Sequence, residues 1–447
     1  MMRVRLAGIY EWGLLAVLFL VVLHAPISVG FGNLFPDYAT AIKAWKEIIL
    51  GVLAVIAVIL LTRRKLWGVV LQDRLIQLSA VYLLLHLTLA LILRGDLQSI
   101  ASGLLIDLRY IGVFVLAYVA VLIRPSALRR FVGTIATGAV VVLGFGLLQI
   151  TVLPDDVLRG IGYSKQTITP YTTIDSNPDY VRINSTLRGP NPLGALVAMY
   201  GTLAVAYIVA RSRHQLRRSL AAAAILLSSV AVLFASYSRS AYIGFLVAAL
   251  AAMLVMRRIS RKATLIGAGV VTVLGIGLWQ VSHTDWYANV ILHEDPESTV
   301  VSKSNDGHIE SFRMGANRMA MQPLGAGVGS TGSASLYDDD ATNDTIIENS
   351  YFYIAHESGW LGLAVFIALF AGTLRRLWNL RSHWLAAGVF ASGIGLAVIG
   401  LLLPVWADET VAFTWWALAG ALVVPTSGII GGRHGKRTRK QTPARTS

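Results

Sequence analysis

The chain has 447 residues, of which 55% are hydrophobic and only 14% charged, and its mean hydropathy is +0.64. An ordinary soluble domain carries roughly 25% charged residues, so a soluble globule is excluded. A formal net charge of +14 would suit a nucleic-acid binder, but the cations sit in short segments between apolar runs, so nucleic acid is not an expected partner.

Apolar runs recur along the chain, each long enough to cross a hydrocarbon core of ~30 Å as a helix. Runs such as 48–61 and 220–235 do not alternate in polarity, as a transmembrane β-strand must. The predicted fold is an all-α polytopic membrane protein with about twelve transmembrane helices, at 8–25, 46–62, 76–93, 100–123, 131–153, 191–210, 219–236, 239–256, 263–282, 350–374, 384–404 and 411–426. An even count puts both termini on one side. That side carries the loops 63–75, 124–130, 211–218, 257–262 and 375–383, and about two-thirds of the 38 Lys and Arg. By the positive-inside rule it is cytoplasmic. No A-x-A pattern follows the first span, which is read as a retained helix.

Residues 1–282 form a bundle of spans 1–9 with an outer loop at about 155–190, and residues 283–349 a large outer loop or cap. Residues 350–426 supply spans 10–12, and 427–447 a basic cytoplasmic tail with Arg433, Lys436, Arg437, Arg439, Lys440 and Arg445. The tail reads as a topology anchor beside anionic lipid. Loops as long as the two outer ones are usually functional or disordered. Apolar and aromatic patches at Trp286, Tyr287, Phe312, Met314 and Met319 predict an ordered cap with a helix near 308–322. Chemistry is expected on this outer face.

Four groups stand out there. Arg182 to Gly194 ends the first large loop and includes Arg188 and Asn191; helix N-termini and Arg both favour phosphate, with interfacial snorkelling the alternative. Tyr237 to Tyr242 puts Arg239 in a short outer turn between two uncharged spans, and an ionisable residue at that depth is a functional candidate, with structural pairing the competitor. Arg313 to Gly329 carries Arg313, Arg318, Pro323 and glycines at alternate positions, which permit close backbone approach. No strand precedes it and no Lys-Ser/Thr follows, so a nucleotide loop is excluded. Glu348 to Gly362 opens the tenth span with Glu348, Asn349 and Tyr351 at the mouth, and His356 and Glu357 about two turns further in.

Two weaker features accompany these. Asp338, Asp339, Asp340 and Asp344 lack the Gly and terminal Glu of a calcium loop and read as a solvated acidic turn. Asp107 and Arg109, two apart in one span, do not share a helix face and need partners elsewhere in the bundle.

In order and spacing the four groups resemble the O-antigen ligase and O-antigen polymerase superfamily. The matching segments are R-x-x-(G/S)-T-x-x-x-P-N at Arg182 to Asn191, the S-R-(G/S)-A turn, R…P-L-G-x-G-x-G, and a final (H/E/D)-N-S-Y segment with its later E-x-G-x-x-G. The resemblance implies a GT-C-like membrane glycosyltransferase of the bacterial cytoplasmic (inner) membrane. Its partners would be an undecaprenyl-pyrophosphate-linked glycan donor, an acceptor glycan on lipid or on lipid A core, membrane lipid and a chain-length co-polymerase. Ligases of this kind carry His at the head of the last motif; here the position is Glu348, which points to the branch that polymerises O-antigen or exopolysaccharide repeat units.

Such a reaction needs a base at the acceptor hydroxyl and positive charge at the leaving diphosphate. The expected assignments are Glu348 as base or acceptor-orienting group, Arg182, Arg239 and Arg313 over the diphosphate with Arg188 and Arg318 assisting, and Asn349, Tyr351, His356 and Glu357 toward glycan or acceptor. Arg suits phosphate because its planar fork donates in pairs. No metal and no cofactor is invoked. The competing class is a lipid-linked oligosaccharide flippase, which would carry cations in a cavity open to both leaflets and often has symmetric halves.

Overall fold

The computed structural model describes residues 2–93, 95–174, 177–210, 216–256, 304–337 and 347–425. The first ten helices are α1 (Met2–Leu20), α2 (His24–Leu34), α3 (Ala39–Lys43), α4 (Trp45–Arg64), α5 (Trp67–Leu71), α6 (Arg74–Ile92), α7 (Leu97–Ile123), α8 (Ala127–Thr151), α9 (Pro190–Val209) and α10 (Leu216–Ala235). They are followed by α11 (Arg239–Val255), α12 (Ser304–Met321), α13 (Ser350–Asn379), α14 (Trp384–Ile399) and α15 (Glu409–Leu422). Eight helical segments are long and apolar enough to cross a membrane, and α11 and α14 are shorter apolar helices. The protein is an all-α polytopic membrane protein. Every predicted span except 263–282 coincides with a helix; that span, the acidic turn 338–344, Trp286, Tyr287 and the basic tail lie outside the described residues.

Two features depart from the sequence expectation. The first apolar segment runs on to Leu34 through a single tight turn at Val21–Leu23. The loop at 155–190 contains a two-stranded antiparallel sheet, β1 (Thr172–Ile174) against β2 (Asn177–Arg182), with Thr172 opposite Arg182. Pairing satisfies backbone groups that a long loop would leave to water, and it delivers Arg182 to the start of α9.

The helix starts are capped as their sequences dictate. The Asp73 carboxylate accepts from Leu75 N at 2.9 Å to open α6, and Asp96 accepts from Gln98 N and Ser99 N to open α7. Proline at the first position of α9 costs no helical hydrogen bond. Asp73 also receives two donors from Arg376 at 2.6 and 2.7 Å and the Tyr118 hydroxyl at 2.9 Å, tying α6, α7 and α13 together at one end of the bundle.

Helix association in lipid relies on close packing and polar contacts, because lipid tails are as apolar as the side chains they replace. The small residues sit accordingly: α11 and α14 cross where Gly244 meets Gly395, and Gly194 of α9 leaves room for Ser238 and Ala241. The central helix is α15. At 14 residues it is about 21 Å long, too short to span alone, and it is buried along its whole length. Trp416 stands edge-on to Phe114 of α7, with ring centres 5.5 Å apart, and Trp415 packs on Phe370 of α13.

A long segment after α12 is set into the bundle. Gly359 interrupts α13 with φ +68°, and the break admits the Pro323–Gly325 backbone, with Trp360 N donating to Pro323 O at 2.9 Å. A side chain at Gly359 would collide with that backbone. Gly329 has φ +84° and lies directly on α7, where Ser99 Oγ donates to Gly329 O at 2.7 Å.

Candidate active site

Glu348 and Asn349 precede α13. The Asn349 Oδ1 accepts from Tyr351 N and Phe352 N at 2.9 and 3.0 Å, and its Nδ2 donates to Leu401 O at 2.7 Å. Asn349 is therefore the helix cap, and it ties the start of α13 to the α14–α15 connection. Ser350 adds two more ties, its N–H donating to Gly400 O and its hydroxyl to Leu403 O, both at 2.8 Å. With its neighbours fixed, the Glu348 carboxyl has a defined position.

The helix α12 was expected near 308–322 and runs from Ser304 to Met321. Its face at 308, 311, 312 and 315 packs on the start of α13: Ser311 Oγ accepts from Glu348 N at 2.9 Å, and the Phe312 and Phe352 rings meet at 5.0 Å. His308 Nδ1 contacts Glu348 Oε2 directly, and both side chains are about 33% exposed. A His and a carboxylate within hydrogen-bond reach and open to solvent are the arrangement that general acid–base chemistry requires. His308 has no signal in the sequence, since forty residues and no shared period separate it from Glu348.

Glu348 lines a cavity of about 240 Å³ together with Arg188, Asn191 and Pro192 at the start of α9, Leu403 to Val405, and Asp408. Asp408 caps α15, accepting from Thr410 N and Val411 N at 3.1 Å, and its other oxygen is 3.9 Å from Arg188 Nε. Burial and the adjacent Glu409 carboxylate push the Asp408 carboxyl up, against Arg188 and the cap hydrogen bonds. The Arg188 side chain is 53% exposed and its contact with Asp408 is long, so its donors remain accessible from the cavity.

Arg182, Arg239, Arg313 and Arg318 are not among the residues that line this cavity. Arg182, at the end of β2, donates to Asn191 Oδ1 at 2.7 Å and to Ser236 O at 3.0 Å, joining the first large loop to the turn before Arg239. Arg239 is the half-buried first residue of α11. Arg313 is exposed on α12, and Arg318 is half-buried on the same helix. Tyr351 donates to Ala397 O at 2.9 Å, joining α13 to α14. His356 and Glu357 are buried, and Glu357 Oε1 accepts from Gly329 N at 3.2 Å.

An ionic network adjoins the cavity that the sequence reading did not anticipate. Arg109 is 2.7 Å from Glu409 and 3.3 Å from Glu47, and it donates to Ala407 O at 2.6 Å. Lys46 is 3.3 Å from Glu47, and His24 3.4 Å from Glu409. The partners of Arg109 thus come from α4 and α15, and Asp107 finds His86 of α6 at 3.7 Å. Lys46, Glu47 and Glu409 sit at helix starts, where charge ordinarily reads as interfacial.

Residues 221–367 match the family model described as O-antigen ligase. This stretch belongs to the O-antigen ligase and polymerase superfamily. The superfamily region takes in Arg239, Arg313, Arg318 and the whole Glu348–Glu357 group, whereas Arg182, Arg188 and Asp408 lie outside it and reach the same place through the fold. No curated protein matches the chain.

Proposed function

We propose that the protein is a membrane glycosyltransferase that takes a glycan from an undecaprenyl-pyrophosphate carrier at the outer face of the cytoplasmic membrane, with both termini inside, and polymerises O-antigen or exopolysaccharide repeat units. The observation that carries this reading is the shared cavity. Glu348, with His308 against it, faces the same space as Arg188, so a base and a phosphate-binding cation meet in one pocket. In the reaction the acceptor hydroxyl attacks the anomeric carbon, and its proton passes to the Glu348–His308 pair. The bond from that carbon to the diphosphate oxygen breaks, and the lipid diphosphate leaves with the bonding electrons. Arg188 stabilises the departing charge from within the cavity, with Arg182 and Arg239 behind it. The domain limits at 282, 349 and 426 are retained as part of the proposal, as is a chain-length co-polymerase as partner.

A second reading, transfer of a finished glycan to lipid A core, is favoured by His308. The imidazole that the resemblance gives to ligases at the head of the last motif is supplied here from α12. The test is to give purified protein a lipid-pyrophosphate-linked repeat unit from its own host, without lipid A core. A ladder of longer lipid-linked products supports polymerisation. No ladder, but transfer once lipid A core is added, selects the ligase; neither reaction with a verified donor defeats both.

A further inference from the structure

At the end of the bundle away from the cavity, α8, α9, α10 and α14 enclose a pocket of about 290 Å³, with Leu418 of α15 also in its wall. It extends along α10 from Arg218 to Ile225, about 10 Å by helix rise. Ala136 and Ala221, both exposed, keep it open. Tyr207 of α9 and Trp384 at the start of α14 meet edge to face in its wall, with ring centres 4.8 Å apart. Among the described residues, Arg218 is the one charged group that lines it.

Other arginines at this end of the bundle are engaged. Arg124 and Arg130 hold Glu11 at 3.3 and 2.8 Å, Arg376 holds Asp73 at 2.6 Å, and Arg64 donates to Ile123 O at 3.1 Å. Arg218 is exposed and meets no acid among the described residues. Its setting is a cation at the mouth of an apolar recess, beside the Tyr and Trp that favour the headgroup level of a bilayer. Snorkelling accounts for an exposed guanidinium but not for the recess beside it. The complementary ligand has an anion at one end and hydrocarbon at the other.

The pocket also bears on α10, the least buried of the eight segments long enough to cross a membrane. At the far end of that helix Ala235 O accepts from Ile183 N at 3.3 Å, and Ser236 O accepts from Arg182 Nε at 3.0 Å. A ligand that seats α10 therefore also seats Arg182 and the turn before Arg239.

We propose that this pocket binds an anionic phospholipid of the leaflet at that end, the cytoplasmic one in the proposed topology, with its phosphate on Arg218 and one acyl chain between α8, α10 and α14. The lipid braces α10 and, through it, the arginine turn at the other face. It is distinct from the lipid-linked donor, which is used at the opposite end of the bundle. Binding rests on the pocket alone; the effect on transfer rests on the glycosyltransferase reading.

The experiment takes the full-length protein from nanodiscs of equal phosphatidylglycerol and phosphatidylethanolamine and counts the lipids it retains by native mass spectrometry. Wild type is expected to keep one phosphatidylglycerol in preference to phosphatidylethanolamine by about tenfold, the worth of a charged hydrogen bond. Arg218→Gln should remove the preference. Ala136→Phe, which adds a ring from an exposed position, should lower retention of both lipids and leave the melting temperature in lipid-free detergent unchanged. Equal retention of the two lipids by wild type, or an undiminished preference in Arg218→Gln, overturns the site. In the glycan-transfer assay, bilayers without phosphatidylglycerol should slow wild type several-fold and leave Arg218→Gln, already slow, as it was; wild-type turnover indifferent to phosphatidylglycerol overturns the brace. Selective retention by a protein that transfers no glycan would defeat the glycosyltransferase reading and leave the lipid site standing.

Discussion

Two polar regions of this molecule differ in how their groups are used. Where the segment after α12 docks on the bundle, the Ser99 hydroxyl is bonded to Gly329 O and Ala334 O, and Glu357 holds Gly329 N. All of this is buried. At the cavity, Glu348 and the His308 that touches it are one-third exposed and Arg188 is more than half exposed, with its acidic neighbour at 3.9 Å. The docking region ties the segment down through Ser99 and Glu357 Oε1, so it fastens; the cavity keeps donors and acceptors accessible, so it can receive a substrate. The Arg109 network has the character of the first region although it lies one residue from the second.

That contrast is tested most severely at Arg109. Replacing it by Met leaves the buried Glu409 without its arginine and Glu47 with Lys46 alone, and removing one partner of a buried pair costs about 3–5 kcal/mol; thermal unfolding in detergent should show the loss directly. Wild-type stability would mean that the network is solvated and belongs with the cavity. Next comes Gly329→Ala, which forces a Cβ into the α7 backbone at a positive φ and should destabilise by about 1–3 kcal/mol, with increased proteolysis between α12 and α13 as the readout.

Arg188→Gln should behave oppositely, leaving the melting temperature unchanged while weakening donor binding by about 10- to 100-fold, the worth of a charged hydrogen bond; titration with a lipid diphosphate measures it. The smallest effect is expected at Tyr351→Phe, which removes one hydrogen bond to Ala397 O and about 1 kcal/mol of stability. Loss of transfer there without loss of stability would move Tyr351 from the packing region into the cavity.

How far the sequence carried these distinctions depends on what kind of contact each residue makes. Helices such as Leu216–Ala235 were legible because a membrane span is written in consecutive residues. The spacing of Asp107 and Arg109 showed that they do not face each other, but not that Arg109 reaches α4 and α15. Partners on different helices leave no local period. Arg182 was legible as a special arginine, yet its bonds to Asn191 and Ser236 O depend on a hairpin and a turn meeting in space. Asp408 is not singled out by any sequence motif, and only the folded α14–α15 connection sets it against Arg188. His308 was out of reach for the same reason.

The central claim is that the Glu348–His308 pair performs the chemistry in the cavity, and it is met most directly by comparing wild type and Glu348→Gln in the lipid-linked glycan transfer assay, with lipid diphosphate binding and melting temperature measured on the same samples. General acid–base groups typically contribute about 10²–10⁴-fold, so the variant should lose transfer by that factor while binding the diphosphate and melting as wild type does. Wild-type turnover by Glu348→Gln would contradict the account.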